Sequence, residues 1–256
     1  MSARLHHRLD GPEDAHVLVL SNSLGSRHTM WDAQAPALVE RFRLLRYDQR
    51  GHGQSDVPDG PYSIADLAGD LLALLDELGI ERVHLCGLSI GGMTGTWLGI
   101  NARERIDRLV LSNTAAYFPP AEEWTRRAKV ARSSEGVAGL ADAALDRWFT
   151  PSFQERRPEE VERFRQMLIT TAGEGYAGCC EAIREMDMRD GLGAIEAPTL
   201  VIAGEEDPST PPDWNRELAE AIPDAEFHLL QDASHLSNVA RPQEYTDLLL
   251  RHLGES

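Results

Sequence analysis

The sequence predicts an α/β fold, with a mostly parallel central sheet flanked by helices and a helical insertion between two of the strands. Three observations carry this. Short apolar runs that do not alternate with polar residues recur along the chain, as in strands buried on both faces. Amphipathic helical stretches separate them, and strand, helix, strand in succession builds a parallel sheet. The rhythm stops after Leu111 and resumes at Ala197.

Residues 17–20, 43–47, 83–86, 109–111 and 200–203 are the strand-like runs, rich in Val, Leu and Ile. The clearest helix covers 63–78. Ser63 and Asp66 stand in the positions of a capping box, Leu67, Leu71, Leu74, Leu75 and Leu78 form one stripe, and Gly79 ends it. From Phe118 to Gly191 no strand pattern is found. Four helical patterns fill the stretch, at 121–134, 136–148, 158–171 and 174–188. Strand character returns at 197–202 and again at 226–230, after a helix at 213–221, and a last helix covers 242–253. The expected organisation is a core of 1–117 and 191–256 carrying a helical lid, 118–190.

The chain of 256 residues has a net charge of −17. Such a field disfavours nucleic acid and anionic membrane surfaces, which need clustered Lys and Arg. An anionic substrate would need a local cation. Residues 1–20 hold no apolar stretch of signal-peptide length, and nothing approaches the ~20 apolar residues of a membrane span, so a cytoplasmic location is expected. Cys86, Cys179 and Cys180 have neither zinc-site spacing nor a disulfide framework and are read as reduced, buried thiols. The sequence leaves the oligomeric state open.

Gly87-Leu88-Ser89-Ile90-Gly91 matches G-x-S-x-G between a predicted strand and a predicted helix. A sharp strand-to-helix turn exposes the serine hydroxyl, and the glycines make room for it. Ser89 is the candidate nucleophile. A serine hydroxyl needs a base. Of nine histidines, His235 follows a strand in Asp232-Ala233-Ser234-His235, at the end of the sheet where α/β folds build their sites. His84 and His228 lie inside strands, and His252, His6 and His7 read as solvated. Asp207, in the loop after the 200–203 strand, is the candidate orienting acid, preferred to its neighbours Glu205 and Glu206. Asp232 is too close to His235 in sequence to replace it easily. An oxyanion hole takes two N–H donors. The candidates are Ile90, after the nucleophile, and Leu24, in the loop 21–26.

These motifs together resemble the α/β-hydrolase superfamily over nearly the whole length. Asp48-Gln49-Arg50-Gly51-His52-Gly53-Gln54-Ser55 adds that superfamily's D-x-R-G-x-G-x-S turn, which implies a supporting role for Arg50 and His52. Many members carry His-Gly where this chain has Asn22-Ser23. Within the superfamily the chain is most similar to the 3-oxoadipate enol-lactonases. The segments 20–25, 30–32, 86–93, 147–151, 203–212 and 233–239 carry that likeness. The resemblance implies a cofactor-free, metal-free enzyme that opens a five-membered enol-lactone bearing a free carboxylate, in aromatic catabolism. The small anionic substrate then asks for a cation. Arg147 is best placed by motif, with Trp148 as a pocket wall. Arg27 and His28 are rival cations, and Arg126 and Arg127 read as solvated. A carboxylesterase, a cofactor-free perhydrolase, a carbon–carbon bond hydrolase and a triad-bearing small-molecule receptor share the same motifs.

Overall fold

In the computed structural model, which describes residues 2–254, seven strands form one sheet. They are β1 (His7–Asp10), β2 (Val17–Ser21), β3 (Arg43–Tyr47), β4 (Val83–Leu88), β5 (Ile106–Ser112), β6 (Thr199–Gly204) and β7 (Glu226–Leu230). Their order is β1-β3-β2-β4-β5-β6-β7, and only β1 runs antiparallel, against β3. The α-helices are α1 (Ala35–Leu38), α2 (Ile64–Glu77), α3 (Ile90–Asn101), α4 (Ala121–Ala131), α5 (Ala141–Trp148), α6 (Pro151–Arg156), α7 (Pro158–Ile169), α8 (Gly173–Glu185), α9 (Pro212–Ala221), α10 (Ser237–Ala240) and α11 (Pro242–Leu253).

The apolar strand runs do not alternate because both faces of the sheet are covered. Leu18, Leu44, Cys86, Val110 and Ile202 belong to one buried cluster. Their neighbours Val19, Leu45, Leu85, Leu109 and Val201 belong to the other. The capping box of α2 is present: the Ser63 hydroxyl accepts from the Asp66 N–H at 3.1 Å, and the Asp66 carboxylate accepts from the Ser63 N–H at 2.8 Å. On that helix Asp70 is buried among the leucines because Arg50 of the D-x-R-G turn holds it in bidentate fashion, at 2.5 and 2.7 Å.

Helices α4 to α8 lie between β5 and β6. Their side chains, including Trp124, Leu145, Trp148 and Phe164, join the same buried cluster as one face of the sheet. The insertion leaves and re-enters the core through one neck, where Tyr117 bridges Asp187 and the Met188 N–H donates to the Ala116 carbonyl at 2.8 Å.

Several elements depart from expectation. β1 is four partly exposed residues at the sheet edge, too short and too polar to register as a strand. α6 is an additional helix, started by Pro151 and capped by the Thr150 hydroxyl, which accepts from the Phe153 N–H at 3.2 Å. The helices expected at 121–134, 158–171 and 174–188 end two or three residues earlier. His252 is buried rather than solvated, with Nε2 3.2 Å from the Leu109 carbonyl, and His6 and His7 are half-buried. No helix among the described residues is long and apolar enough to cross a membrane.

Candidate active site

The chain runs from β2 to β3 on one side and returns to β4 on the other, so the sheet order reverses beside β2. Ligand crevices of α/β sheets form at such a reversal, outside the carboxyl ends of the strands. The 21–26 loop follows β2 there and Ser89 follows β4.

Ser89 has φ 59° and ψ −120°, a left-handed backbone that costs an L-residue about 1–2 kcal/mol. Neighbouring contacts enforce it. The Ser89 N–H donates to the Ser112 carbonyl at 2.9 Å, and its own carbonyl accepts from the Thr114 hydroxyl at 2.7 Å. Gly87 has no room for a side chain, because a Cβ there would lie 2.2 Å from the Gly91 carbonyl oxygen. A Cβ at Gly91 would lie 2.3 Å from the Ser21 carbonyl oxygen. Gly87→Ala is therefore expected to destabilise the fold by about 1–3 kcal/mol through overpacking, read as a lower midpoint in urea unfolding.

Asp207 is fully desolvated and accepts five hydrogen bonds. The Ser209 and Thr210 N–H groups reach Oδ1 at 2.8 and 3.1 Å. The Thr210 hydroxyl, Asn113 Nδ2 and His235 Nδ1 lie 2.7, 3.0 and 2.8 Å from Oδ2. Burial works to raise the Asp207 carboxyl. The His235 charge and the bonds from His235, Thr210 and Asn113 outweigh it and hold the group below the usual carboxylate range. An ionised carboxylate only accepts, so His235 Nδ1 carries a hydrogen, and in the neutral ring Nε2 is the free acceptor. Ser89 and His235 line one cavity. No hydrogen bond joins the Ser89 hydroxyl to His235 among the described residues, and such contacts often tighten only when substrate binds. Glu205, Glu206 and Asp232 are exposed. Asp232 pairs with Arg241.

The 21–26 loop is fixed from three sides. Asn22 donates to the Tyr47 carbonyl at 2.5 Å and accepts from Trp31 Nε1 at 3.0 Å, which gives this chain's Asn a structural reason at the His-Gly position. The Gly25 N–H donates to His52 Nε2 at 2.9 Å, and His52 Nδ1 lies 3.1 Å from the Arg50 carbonyl. Burial depresses His52 to about 4, so it is a neutral acceptor that props the loop. Leu24 lies on the cavity wall with Ser23 and Ser89, and Ile90 is the first residue of α3. Among the described residues no hydrogen bond uses the Leu24 or Ile90 N–H. Both donors remain available to an anion.

The cavity is also lined by Arg147, Trp148, Arg127, Trp124 and Phe118. Arg127 lines it rather than being solvated. It stacks 4.6 Å over Trp124, three residues earlier on the same face of α4, and donates to Glu123 at 2.7 Å. Arg126 points elsewhere, exposed and held by Glu123. Arg147 makes no side-chain hydrogen bond or ion pair among the described residues. Burial, then the adjacent Arg127 charge, push its guanidinium below the ordinary value, but it stays a cation. Arg27 is not on this wall, and His28 is held 2.8 Å from Asp48. The three cysteines are free and buried, and burial pushes Cys86 and Cys180 up to about 12, so these thiols are inert.

Asn113 and Thr210 escaped the sequence reading. Asn113 immediately follows β5, in the left-handed region at φ 45°, and its amide oxygen accepts from Ser112 and Ser237 while its nitrogen reaches Asp207. Its place after a strand was the available signal.

A profile of the alpha/beta hydrolase fold matches residues 16–242. The chain is 42% identical to 3-oxoadipate enol-lactonase 2 of Acinetobacter baylyi, over 94% of this chain and 90% of that one. It is 46% identical to the enol-lactonase from Burkholderia xenovorans LB400, whose crystal structure superposes with a TM-score of 0.96 over 99% of this chain and 97% of that one. A more distant relative from Stutzerimonas stutzeri, provisionally named carbamate hydrolase RutD, is 31% identical over 100% of this chain and 97% of that one. The chain belongs to the alpha/beta hydrolase fold family, in its 3-oxoadipate enol-lactonase branch, and is a hydrolase.

Proposed function

We propose that this chain opens the ring of 3-oxoadipate enol-lactone to give 3-oxoadipate, through an acyl intermediate on Ser89. The observation that carries the substrate is Arg147. In a chain of net charge −17, a largely buried guanidinium with no carboxylate partner among the described residues faces the same cavity as Ser89 and His235. Leaving a buried cation unpaired is costly, and a ligand carboxylate relieves the cost. Arg127 adds positive potential to the same cavity, and Trp148 forms part of its wall.

The Ser89 oxygen attacks the lactone carbonyl as His235 Nε2 takes its proton. The Leu24 and Ile90 N–H groups receive the developing oxyanion. The ring C–O bond breaks, and the leaving enol oxygen takes the proton from His235. The enol then tautomerises to the ketone. Water, deprotonated by His235, attacks the acyl carbon and frees Ser89. Asp207 stabilises the imidazolium in both halves. The mechanism needs neither cofactor nor metal.

Arg147→Ala separates this reading from a general esterase. A charge-assisted bidentate contact is worth about 1.5–3 kcal/mol, roughly 10- to 100-fold. The variant is expected to lose that much kcat/KM on the enol-lactone, followed by its ultraviolet absorbance, and little on neutral phenyl acetate. Equal losses on both substrates remove Arg147 from carboxylate binding. A simple alkyl carbamate is the control suggested by the RutD relative, and faster turnover of it than of the lactone overturns the substrate assignment.

A further inference from the structure

The cavity at Ser89 has a volume of about 30 Å³, little more than a water or two occupies. Any ester that reaches Ser89 must displace part of the wall. Every other apolar side chain on that wall is buried, Trp124, Trp148 and Tyr176 among them, whereas Phe118 is half-buried. Phe118 also lies in the irregular segment between β5 and α4.

Beside Trp214, which the Phe118 ring touches, lies a pocket of about 350 Å³ whose wall includes Phe118's chain neighbours Tyr117 and Pro119 but not Phe118 itself, within the range that holds small organic ligands. Tyr117 and Trp214 line it with Ala116, Leu192, Leu218 and Ala221. The Phe118 ring meets Trp214 edge-on at 5.6 Å and Trp124 at 4.8 Å. It thus stands between a tryptophan of the inner cavity and a tryptophan of the outer pocket. The two chambers differ in charge. The inner one holds Arg127 and Arg147. In the outer one Arg189 is paired with Asp187 at 2.5 Å and stacked 4.2 Å over Tyr117, and Glu217 adds a negative charge.

We infer that Phe118 is a swinging door and that the outer pocket is a second binding site, for the uncharged aromatic part of an ester whose carbonyl sits at Ser89. The apolar walls and aromatic rings receive a flat ring by edge and face contacts. Arg189, already paired, and Glu217, which has no ion-pair partner among the described residues, give an anion no reason to stop there. The carboxylate end of a substrate passes to the Arg147 guanidinium inside, and an aryl leaving group stays outside.

The hydrolytic half of this inference rests on the Ser89 reading, so the test has one arm that does not. Calorimetric titration of 1-naphthol into the protein is expected to show saturable binding, weakened about tenfold in Ala221→Trp, which fills the outer pocket from α9. In parallel, kcat/KM is measured on 1-naphthyl acetate and ethyl acetate. Ala221→Trp should lower the naphthyl value about tenfold and leave the ethyl value unchanged, and Phe118→Ala should raise both values, the naphthyl one more. No naphthol binding, or naphthol binding indifferent to Ala221→Trp, overturns the outer site whatever the esterase rates. No rise for either ester in Phe118→Ala overturns the door. Naphthol binding without hydrolysis of either ester overturns the outer pocket as part of an ester site, while Ser89→Ala on the lactone tests the Ser89 reading separately.

Discussion

Ser89→Ala is expected to reduce kcat by roughly a millionfold while the folded protein persists. The persistence follows from where the strain lies. The left-handed backbone is held by the Ser112 carbonyl and the Thr114 hydroxyl, which bond the main chain of Ser89, and by the close packing at Gly87 and Gly91. The Ser89 hydroxyl makes no hydrogen bond among the described residues. Alanine bears the same φ penalty as serine, so the thermal midpoint should stay within a degree or two, about what ±0.5 kcal/mol produces in a chain of this size. Turnover within tenfold of wild type would remove Ser89 from the reaction. Collapse of the midpoint would show that the hydroxyl supports the elbow.

Asp207→Asn is expected to cost about 10⁴-fold in kcat, for a reason specific to this site. Two backbone N–H groups fix one side-chain oxygen, so an asparagine must keep its carbonyl there. Its NH₂ then faces His235 Nδ1 and Asn113 Nδ2, both donors in the native arrangement. His235 has to turn Nδ1 into an acceptor. That puts its hydrogen on Nε2 and removes the lone pair facing the cavity. Nitrogen NMR of the imidazole checks the tautomer directly, and an Nδ1–H signal retained in the variant contradicts it. Stability is affected as well. The folded carboxyl titrates below the ordinary 3.8, so its contribution is complete above that value and is lost as pH falls through the folded pKa. The variant should be less sensitive to acid over that window in pH-dependent unfolding.

The parts of the site legible in sequence are those set by local backbone chemistry. The elbow was readable because a strand, two close-packing glycines and a helix leave few alternatives, and the cramped Cβ positions at 87 and 91 show why. Asp207 and His235 were readable because each follows a parallel strand, at the end where such sheets place their loops. What escaped depends on contacts distant in sequence. Arg127 looks solvated in a charged helical stretch. Only the docking of α4 turns the face of Trp124 and Arg127 toward Ser89. Asn113 reaches Asp207 across 94 residues. His52 props a loop 27 residues before it. β1 escaped for a different reason, since an edge strand with one partner needs little apolar character.

The end of α5 is stitched to the histidine loop in an unusual way. The Arg147 carbonyl accepts from the Ser234 hydroxyl at 2.7 Å and from the His235 N–H at 3.4 Å, and the Trp148 carbonyl accepts from the Leu236 N–H at 3.1 Å. On the insertion side every partner is a main-chain oxygen, which any amino acid supplies. The seam is therefore blind to mutation on that side. The side chain at 147 can change without breaking the bonds that seat the imidazole, whereas Trp148 is held as well by its burial in the core. A change of side chain at 147 thus separates what the cavity binds from how His235 is held.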